Sequence, residues 1–326
     1  MRKKVTMGDL GTIITGNTPP RSMPELYGDY TPFVKATDIS ESEKYTYTPE
    51  ECYSKEGHDR YIRSLVPKGS TCVVTIGSIG KKMTMAHCDL FINQAMNAII
   101  PNENFDNEFV YYAVKNVLSN IKGLDSGTAS GRENVSKSAF SRMEVVVDDD
   151  LIIQQHIAAI LSRYDSLIEN YQKQIKLLEE AAQRLYKEWF VDFHFPAHEN
   201  TKIVDGVPEG WELSKLGNLA EFKRGKTITK KDIIDGSIPV VAGGLEPAYY
   251  CNKSNTAERV ITVSGSGANA GFTRMYFEKV WASDCSYVDV EITSFLHFVY
   301  CYLATHQLRQ QAVAGFSKMA DLRLKR

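Results

Sequence analysis

Leu10-Gly11-Thr12-Ile13-Ile14-Thr15-Gly16-Asn17-Thr18 has a counterpart 209 positions further along, Leu219-Ala220-Glu221-Phe222-Lys223-Arg224-Gly225-Lys226-Thr227, and this pair decides the architecture. Gly8 and Gly217 precede the two runs at the same distance, and Leu, Gly and Thr recur at identical spacing. Later landmarks return in the same order at a shrinking offset. Pro32-Phe33-Val34 answers to Pro239-Val240-Val241, and Phe109-Val110-Tyr111 to Phe298-Val299-Tyr300. Between them the run Val73 to Ser78 matches Val260 to Ser266, with Gly77-Ser78 set against Gly265-Ser266. The chain is a diverged duplication. Repeats that keep a frame and vary their loops suit a protein that binds two similar but non-identical things, since the frame sets geometry and the loops set contacts.

The 326 residues, 43% of them hydrophobic, supply enough apolar material for two cores in domains of roughly 140 residues each. Six cysteines (Cys52, Cys72, Cys88, Cys251, Cys285 and Cys301) contain no C-x-x-C pair, so they read as reduced core thiols and not as a disulfide framework or a zinc knuckle. No apolar segment follows Met1-Arg2-Lys3-Lys4, and no run of about 18 apolar residues occurs, which gives no support for secretion or membrane insertion and leads to the expectation of a cytoplasmic protein. The net charge of −2 does not announce a nucleic-acid binder, although a whole-chain sum can conceal a basic face.

From Leu151 to about Phe190 apolar residues recur at three-four spacing: Ile157, Ile160, Tyr164, Leu167, Tyr171, Leu178, Ala181 and Leu185, widened by Leu161, Ile168, Ile175, Ala182 and Trp189. Asp148-Asp149-Asp150 offers an N-terminal cap, Arg184 and Lys187 lie in the last turns, and no Gly or Pro interrupts the pattern. Its ~40 residues would span about 60 Å as one helix. So long a stripe exceeds the reach of one small domain, so a coiled coil or bundle with another helix is expected. The segment Val191 to Gly210, with Pro196, Asp205-Gly206 and Pro208, reads as loop. His194 and His198 with Asp192 stand there without a nearby cysteine, and a zinc site is rejected.

Within each repeat, Thr71 to Ile76, Ala98 to Ile100, Arg259 to Val263 and Tyr287 to Ile292 read as strands, and Phe109 to Ile121 and Phe295 to Gln310 as helices. The fold class is α+β: two similar domains joined by a long amphipathic coiled-coil helix. The expected division is 1–147, 148–195 for the helix, and 196–326. No nucleophile elbow, phosphate loop or dinucleotide-binding turn is present in the sequence, so no chemistry and no cofactor or metal is expected of the chain itself.

What remains are loops carrying the donors that nucleic acid requires. Gly77-Ser78-Ile79-Gly80 runs into Lys81-Lys82, and Gly265-Ser266-Gly267-Ala268-Asn269 leads to Arg274. Glycine lets main chain approach a phosphate and cations neutralise it. The second repeat opens with Lys215, Lys223, Arg224, Lys226, Lys230 and Lys231 against one acid, Glu221. In the first, Thr15, Asn17, Thr18 and Arg21 occupy the matching loop, and Lys35, Thr37 and Asp38 follow a strand. The candidate DNA contacts are therefore Asn17, Thr18, Lys35, Thr37, Ser78, Lys81, Lys82, Arg224, Lys226, Ser266, Asn269 and Arg274.

The run from Asp148 to Pro196, above all Leu185-Tyr-Lys-Glu-Trp-Phe-Val-Asp-Phe193, resembles the central spacer helix of the specificity subunit of type I restriction-modification enzymes, and Val207-Pro-Glu-Gly-Trp-Glu212 resembles that family's entry to the second target recognition domain. The likeness extends over essentially the whole chain. It implies two target recognition domains that each read half of a split sequence in double-stranded DNA, a helix that fixes the gap, and catalysis by methyltransferase and restriction subunits. It also implies that Ile157, Ile160, Tyr164, Leu167, Ile168, Tyr171, Ile175 and Leu178 face partner helices. Left uncovered, that stripe is expected to drive self-association. One departure stands out: aligning Gly127 with Gly315 sets Arg326 opposite about Ser138 to Arg142, before the counterpart of a strand Glu144 to Val147. The second domain is then truncated at its end and the family's second spacer helix is lacking. A coiled-coil scaffold that binds no DNA, or an inactive recombination reservoir, is the alternative.

Overall fold

The computed structural model describes residues 2–124, 133–229, 231, 233–265, 267 and 269–306, with the backbone of 323–325. By their contacts Met1–Lys173 and Gln174–Arg326 form two compact units. The first holds strands β1 (Arg2–Thr6), β2 (Gly11–Thr15), β3 (Tyr27–Gly28), β4 (Thr31–Val34), β5 (Glu51–Tyr53), β6 (Thr71–Val74), β7 (Met83–Met85), β8 (Phe91–Ile92), β9 (Met96–Pro101) and β10 (Glu144–Asp148), with helices α1 (Met7–Leu10), α2 (Lys55–Tyr61), α3 (Asn107–Val117) and α4 (Lys137–Arg142). An antiparallel sheet runs β2-β9-β6-β7, a second runs β3-β5-β4-β8 with β4 and β8 parallel, and β1 pairs with β10.

Period-two alternation explains why β6 is buried on both faces. Val73 points with Ile13 and Ile99 toward Phe109, Val110 and Val114 of α3, in one core. Cys72 and Val74 point with Ala98 and Met96 toward Val34, Leu90 and Ile92, in another. Each such burial contributes on the order of 1.5–3 kcal/mol. The strand is shorter than the Thr71–Ile76 expected, because Thr75 and Ile76 both turn their N–H groups to the Ala95 carbonyl (2.8 and 3.2 Å) and enter a loop. Asp106 caps α3 by accepting from the Phe109 N–H at 2.9 Å.

The second unit repeats this plan. It contains β11 (Ile203–Val204), β12 (Val207–Pro208), β13 (Leu213–Lys215), β14 (Lys223–Arg224), β15 (Ile238–Val241), β16 (Tyr249–Cys251), β17 (Val260–Ser264), β18 (Thr273–Tyr276), β19 (Trp281–Ala282), β20 (Cys285–Asp289) and β21 (Arg323–Lys325). The sheet β14-β20-β17-β18 answers to β2-β9-β6-β7, and β16-β15-β19 to β5-β4-β8, down to the parallel pair β15 and β19. Helix α6 (Leu296–Thr305) stands where α3 does, with Val299 and Leu303 buried against Ile261, Val263 and Val288. The stretch expected to be plain loop contains a two-residue hairpin, β11 and β12, turning at Asp205 and Gly206, both of positive φ.

The second repeat also reaches further than its sequence alignment indicates. Strand β21 pairs with β13, Lys215 opposite Arg323, as β10 pairs with β1, Thr6 opposite Glu144. The counterpart of Glu144–Val147 is thus present, contrary to an alignment that set Arg326 opposite Ser138 to Arg142. Gly127 and Gly315, on which that alignment rested, lie outside the described residues. The ladder fixes the correspondence by main-chain pairing, which tolerates the shorter connection that misled the residue count.

Helix α5 (Leu151–Tyr186) continues through a π-helical turn, Lys187–Val191. Asp150 begins it by accepting from the Ile152 N–H at 2.9 Å. The face turned to the first unit is small and polar: Gln154, Ala158, Ser162, Asp165 and Glu169, spaced four, four, three and four. Gln154 is fully buried, accepting from the Asp106 N–H (2.9 Å) and donating to the Asp148 carbonyl (2.8 Å). Asp165 accepts from the Tyr112 hydroxyl at 2.7 Å, and Lys173, paired with Glu169, lies over the Tyr47 ring. The apolar stripe is left out: Ile157, Ile160, Tyr164, Leu167, Ile168, Tyr171, Ile175 and Leu178 are 37% to 70% exposed. At its other end Tyr186 is buried in the second unit against Phe190 and Phe298. Among the described residues no helix is long and apolar enough to cross a membrane.

All six cysteines are free thiols; Cys72, Cys251 and Cys285 are buried and the others half-buried. Burial pushes the thiols of Cys72 and Cys285 up to about 12. At pH 8 their thiolate fraction falls about a thousandfold below that of an ordinary thiol. Alkylation of the folded chain at pH 8, mapped by mass spectrometry, is expected to leave Cys72 and Cys285 unmodified, while all six react in denaturant.

Candidate nucleic-acid interface

Four loops of the first unit are knitted together at one end of its sheets. After β2, Gly16 donates to the Met96 carbonyl (3.1 Å) and Asn17 to that of Ile92 (2.9 Å). Asn93 then donates to the Val34 carbonyl (3.1 Å), which brings in the loop after β4. The loop from Thr75 to Lys82 joins through Ala95 and through the Lys82 ammonium, 3.5 Å from the Ala36 carbonyl. The second unit repeats these bonds: Gly225 to Cys285 (2.8 Å), Lys226 to Ala282 (2.9 Å) and Ser283 to Val241 (2.8 Å). Gly16 and Gly225 are glycines for the same steric reason. A Cβ on Gly16 would lie 2.1 Å from the Asn93 carbonyl oxygen, and one on Gly225 2.3 Å from that of Ser283.

The ladders overturn one match made from sequence. Val74 lies opposite Met96 and Ser264 opposite Cys285, so Val74 and Ser264 are counterparts. The loops that follow then set Gly77 (φ +87°) against Gly267 (φ +76°), and not Gly77-Ser78 against Gly265-Ser266. Matching on the Gly-Ser letters erred by two residues, whereas the left-handed backbone needed at one point of the turn falls on the same glycine in both.

The candidate contacts among the described residues divide into two groups. Asn17, Thr37, Ser78, Lys81, Arg224 and Lys226 are exposed, and Asn17 and Lys226 occupy equivalent places in the two loop clusters. The rest are occupied within the chain. Lys35 pairs with Glu50 and Glu51, and the hydrogen bond to Glu50 raises the Lys35 ammonium and lowers the Glu50 carboxyl from their ordinary ranges. Glu51 also holds Arg21, at 2.9 Å. Arg274 donates to the Leu245 carbonyl (3.0 Å) and Glu246 (3.2 Å), and the Asn269 amide to the Gly243 carbonyl (3.2 Å), so both brace the loop after β15. Thr18 donates to Gln94 and Lys82 to Ala36. Ser266 lies outside the described residues.

Three cations that sequence reasoning missed stand beside Asn17. Arg60 in the last turn of α2, Arg63 just after it and Lys137 at the start of α4 line an open concavity of about 440 Å³ together with Thr15, Asn17 and Tyr61. The signal in the sequence was Arg60 and Arg63 three positions apart, but nothing local ties them to Asn17. Tyr53 does: its ring packs on Tyr61 (centroids 5.8 Å) and its hydroxyl donates to the Asn17 carbonyl (2.8 Å). Elsewhere, His194 and His198 have ring centroids 5.2 Å apart, with His194 on Glu188. No group of three or more His, Cys, Asp or Glu among the described residues could hold a metal ion.

Comparison with known proteins bears on this arrangement. The type I restriction-modification specificity subunit MjaIX of Methanocaldococcus jannaschii is 28% identical over 240 residues, which is 72% of this chain and 55% of that protein. The HindI specificity subunit of Haemophilus influenzae is 30% identical over 175 residues, 53% of this chain and 38% of that protein. The chain thus spans about half the length, or less, of these curated relatives. The crystal structure of a type I restriction-modification S subunit from M. genitalium shares the fold, with a TM-score of 0.59 at 18% identity over all of this chain and 84% of that one. The family model of the type I restriction modification DNA specificity domain matches residues 2–180 and 208–326, one span in each repeat, and the chain therefore belongs to that family.

Proposed function

We propose that this chain reads a split target in double-stranded DNA. Each repeated domain, 1–147 and 196–326, presents its loop cluster to one half-site, and the helix between them, 148–195, sets the gap. Methyltransferase and restriction subunits then supply the chemistry, a helix of the former covering the stripe from Ile157 to Leu178. The observation that carries this reading is the recurrence of one main-chain arrangement, Gly16-Asn17 on Ile92 and Met96, Gly225-Lys226 on Ala282 and Cys285, beneath side chains that differ. A common frame with changed contacts is what reading two half-sites demands.

Selection of duplexes from a random library by the full chain tests it. Two blocks of preferred bases at a fixed separation are expected. Asn17→Ala and Thr37→Ala should alter one block and leave the other, and Lys226→Ala should weaken binding alike for all sequences. A chain with no salt-dependent affinity for any duplex would be a scaffold and not a reader of DNA.

A further inference from the structure

We propose that the concavity beside Asn17 is a phosphate-binding groove, in which Arg60, Arg63 and Lys137 hold the DNA backbone so that Asn17 meets base edges. This rests on the DNA-reading function proposed above and assigns it a different source of charge in each domain. Among the described residues none of the three cations has an ion-pair partner, whereas Lys35, Arg21, Lys55 and Arg274 are all paired. No carboxylate is among the residues that line the concavity. The positive charge facing the groove is therefore not neutralised from within.

The second domain shows why charge is required at this place. Strand registers make Ile14, Thr15 and Asn17 the counterparts of Lys223, Arg224 and Lys226, since Thr15 lies opposite Asn97 and Arg224 opposite Ser286 on equivalent strands. In the second domain the strand and loop themselves carry three exposed cations. In the first domain those positions are neutral, and Arg60, Arg63 and Lys137 bring the same number of charges across the concavity. Guanidinium groups three residues apart suit successive phosphate oxygens, and the Tyr61–Tyr53–Asn17 contacts hold the Arg60–Arg63 segment fixed relative to the loop.

The test uses the full chain, a 30-base-pair duplex of unrelated sequence and the selected target duplex, with affinity measured across a salt series. Arg60→Gln, Arg63→Gln and Lys137→Gln combined are expected to lower the slope of log affinity against log salt by about three units, and to weaken both duplexes alike by about a hundredfold or more at 0.1 M salt. The selected bases should not change. Arg60→Lys with Arg63→Lys keeps both charges and should retain the slope, which separates charge from folding. An unchanged slope in the triple variant of a chain that binds DNA overturns the groove while leaving the DNA reading intact. Altered base preference with an unchanged slope overturns it as well. A parent chain without salt-dependent affinity for either duplex overturns both.

Discussion

Inserting one heptad after Ile175 is expected to leave both half-site sequences as they are and to lengthen the gap between them by one to three base pairs. Seven residues add about 10.5 Å of helix and fall about 20° short of two turns, so the faces on either side keep their phase. Each base-pair step adds 3.4 Å along the duplex, which sets three as the upper bound. Each step also turns the second half-site by about 35° around the DNA axis, which favours the lower end of the range. The site of insertion follows from the structure. Gln154, Ala158, Asp165, Glu169 and Lys173 hold the helix to the first unit, and Tyr186 is buried in the second. Burial also raises the Tyr300 hydroxyl, which the helix residue Glu179 approaches, so Glu179 belongs with the second set of anchors. A deletion within Leu161 to Lys173 would remove such an anchor, whereas an insertion after Ile175 lies between the two sets. Selection of bound duplexes reads the result. An unchanged gap with intact binding means the helix is no ruler, and a three-residue insertion, which turns the faces by about 60°, should instead abolish paired recognition.

Gly16→Ala should cost the first domain on the order of 3 kcal/mol, and Gly225→Ala the second a similar amount. A Cβ on Gly16 meets the carbonyl oxygens of Asn93 at 2.1 Å and Ile92 at 2.3 Å, both main-chain atoms that no side-chain rotation can move. Relief requires the loop to separate from β8 by nearly an ångström. That loses the bonds from Gly16 to Met96 and from Asn17 to Ile92, each worth about 1 kcal/mol net, together with the packing beneath them. Gly77→Ala is the internal comparison. Nothing lies within 4 Å of its Cβ, and only its left-handed backbone (φ +87°) is penalised, at about 1 kcal/mol. Because the chain carries separate cores, denaturant unfolding should show Gly16→Ala shifting one transition and Gly225→Ala another. If Gly16→Ala costs no more than Gly77→Ala, the close approach does not constrain the site. The same variants should degrade base preference in one half-site each.

The amino-acid sequence by itself determined the duplication, the α+β class and the long helix. These rest on local signals: glycines at fixed spacing, a 3.6-residue period free of Gly and Pro, and β-branched runs closed by turns. Such patterns survive divergence because each position answers to its own neighbours. The pairing of Gly16 with Gly225 was legible as letters at a fixed spacing, although what forces both glycines is a distant main-chain carbonyl, 2.1 or 2.3 Å from where a Cβ would stand. Tertiary structure alone decided which polar residues remain available. Lys35 and Arg274 read as phosphate ligands until the fold brings Glu50, Glu51 and Glu246 to them across 15, 16 and 28 positions. Arg60, Arg63 and Lys137 look unremarkable until Tyr53 and the sheet set them beside Asn17. The helix divides in the same way. Its period gave the apolar stripe, but that the small polar face of Gln154, Ala158, Ser162, Asp165 and Glu169 is the one docked on the first domain depends on Tyr112, Tyr47 and the Asp106 amide. Charge neutralisation and docking are pairwise between distant segments, and one-dimensional spacing carries no term for a partner whose distance is set by the fold.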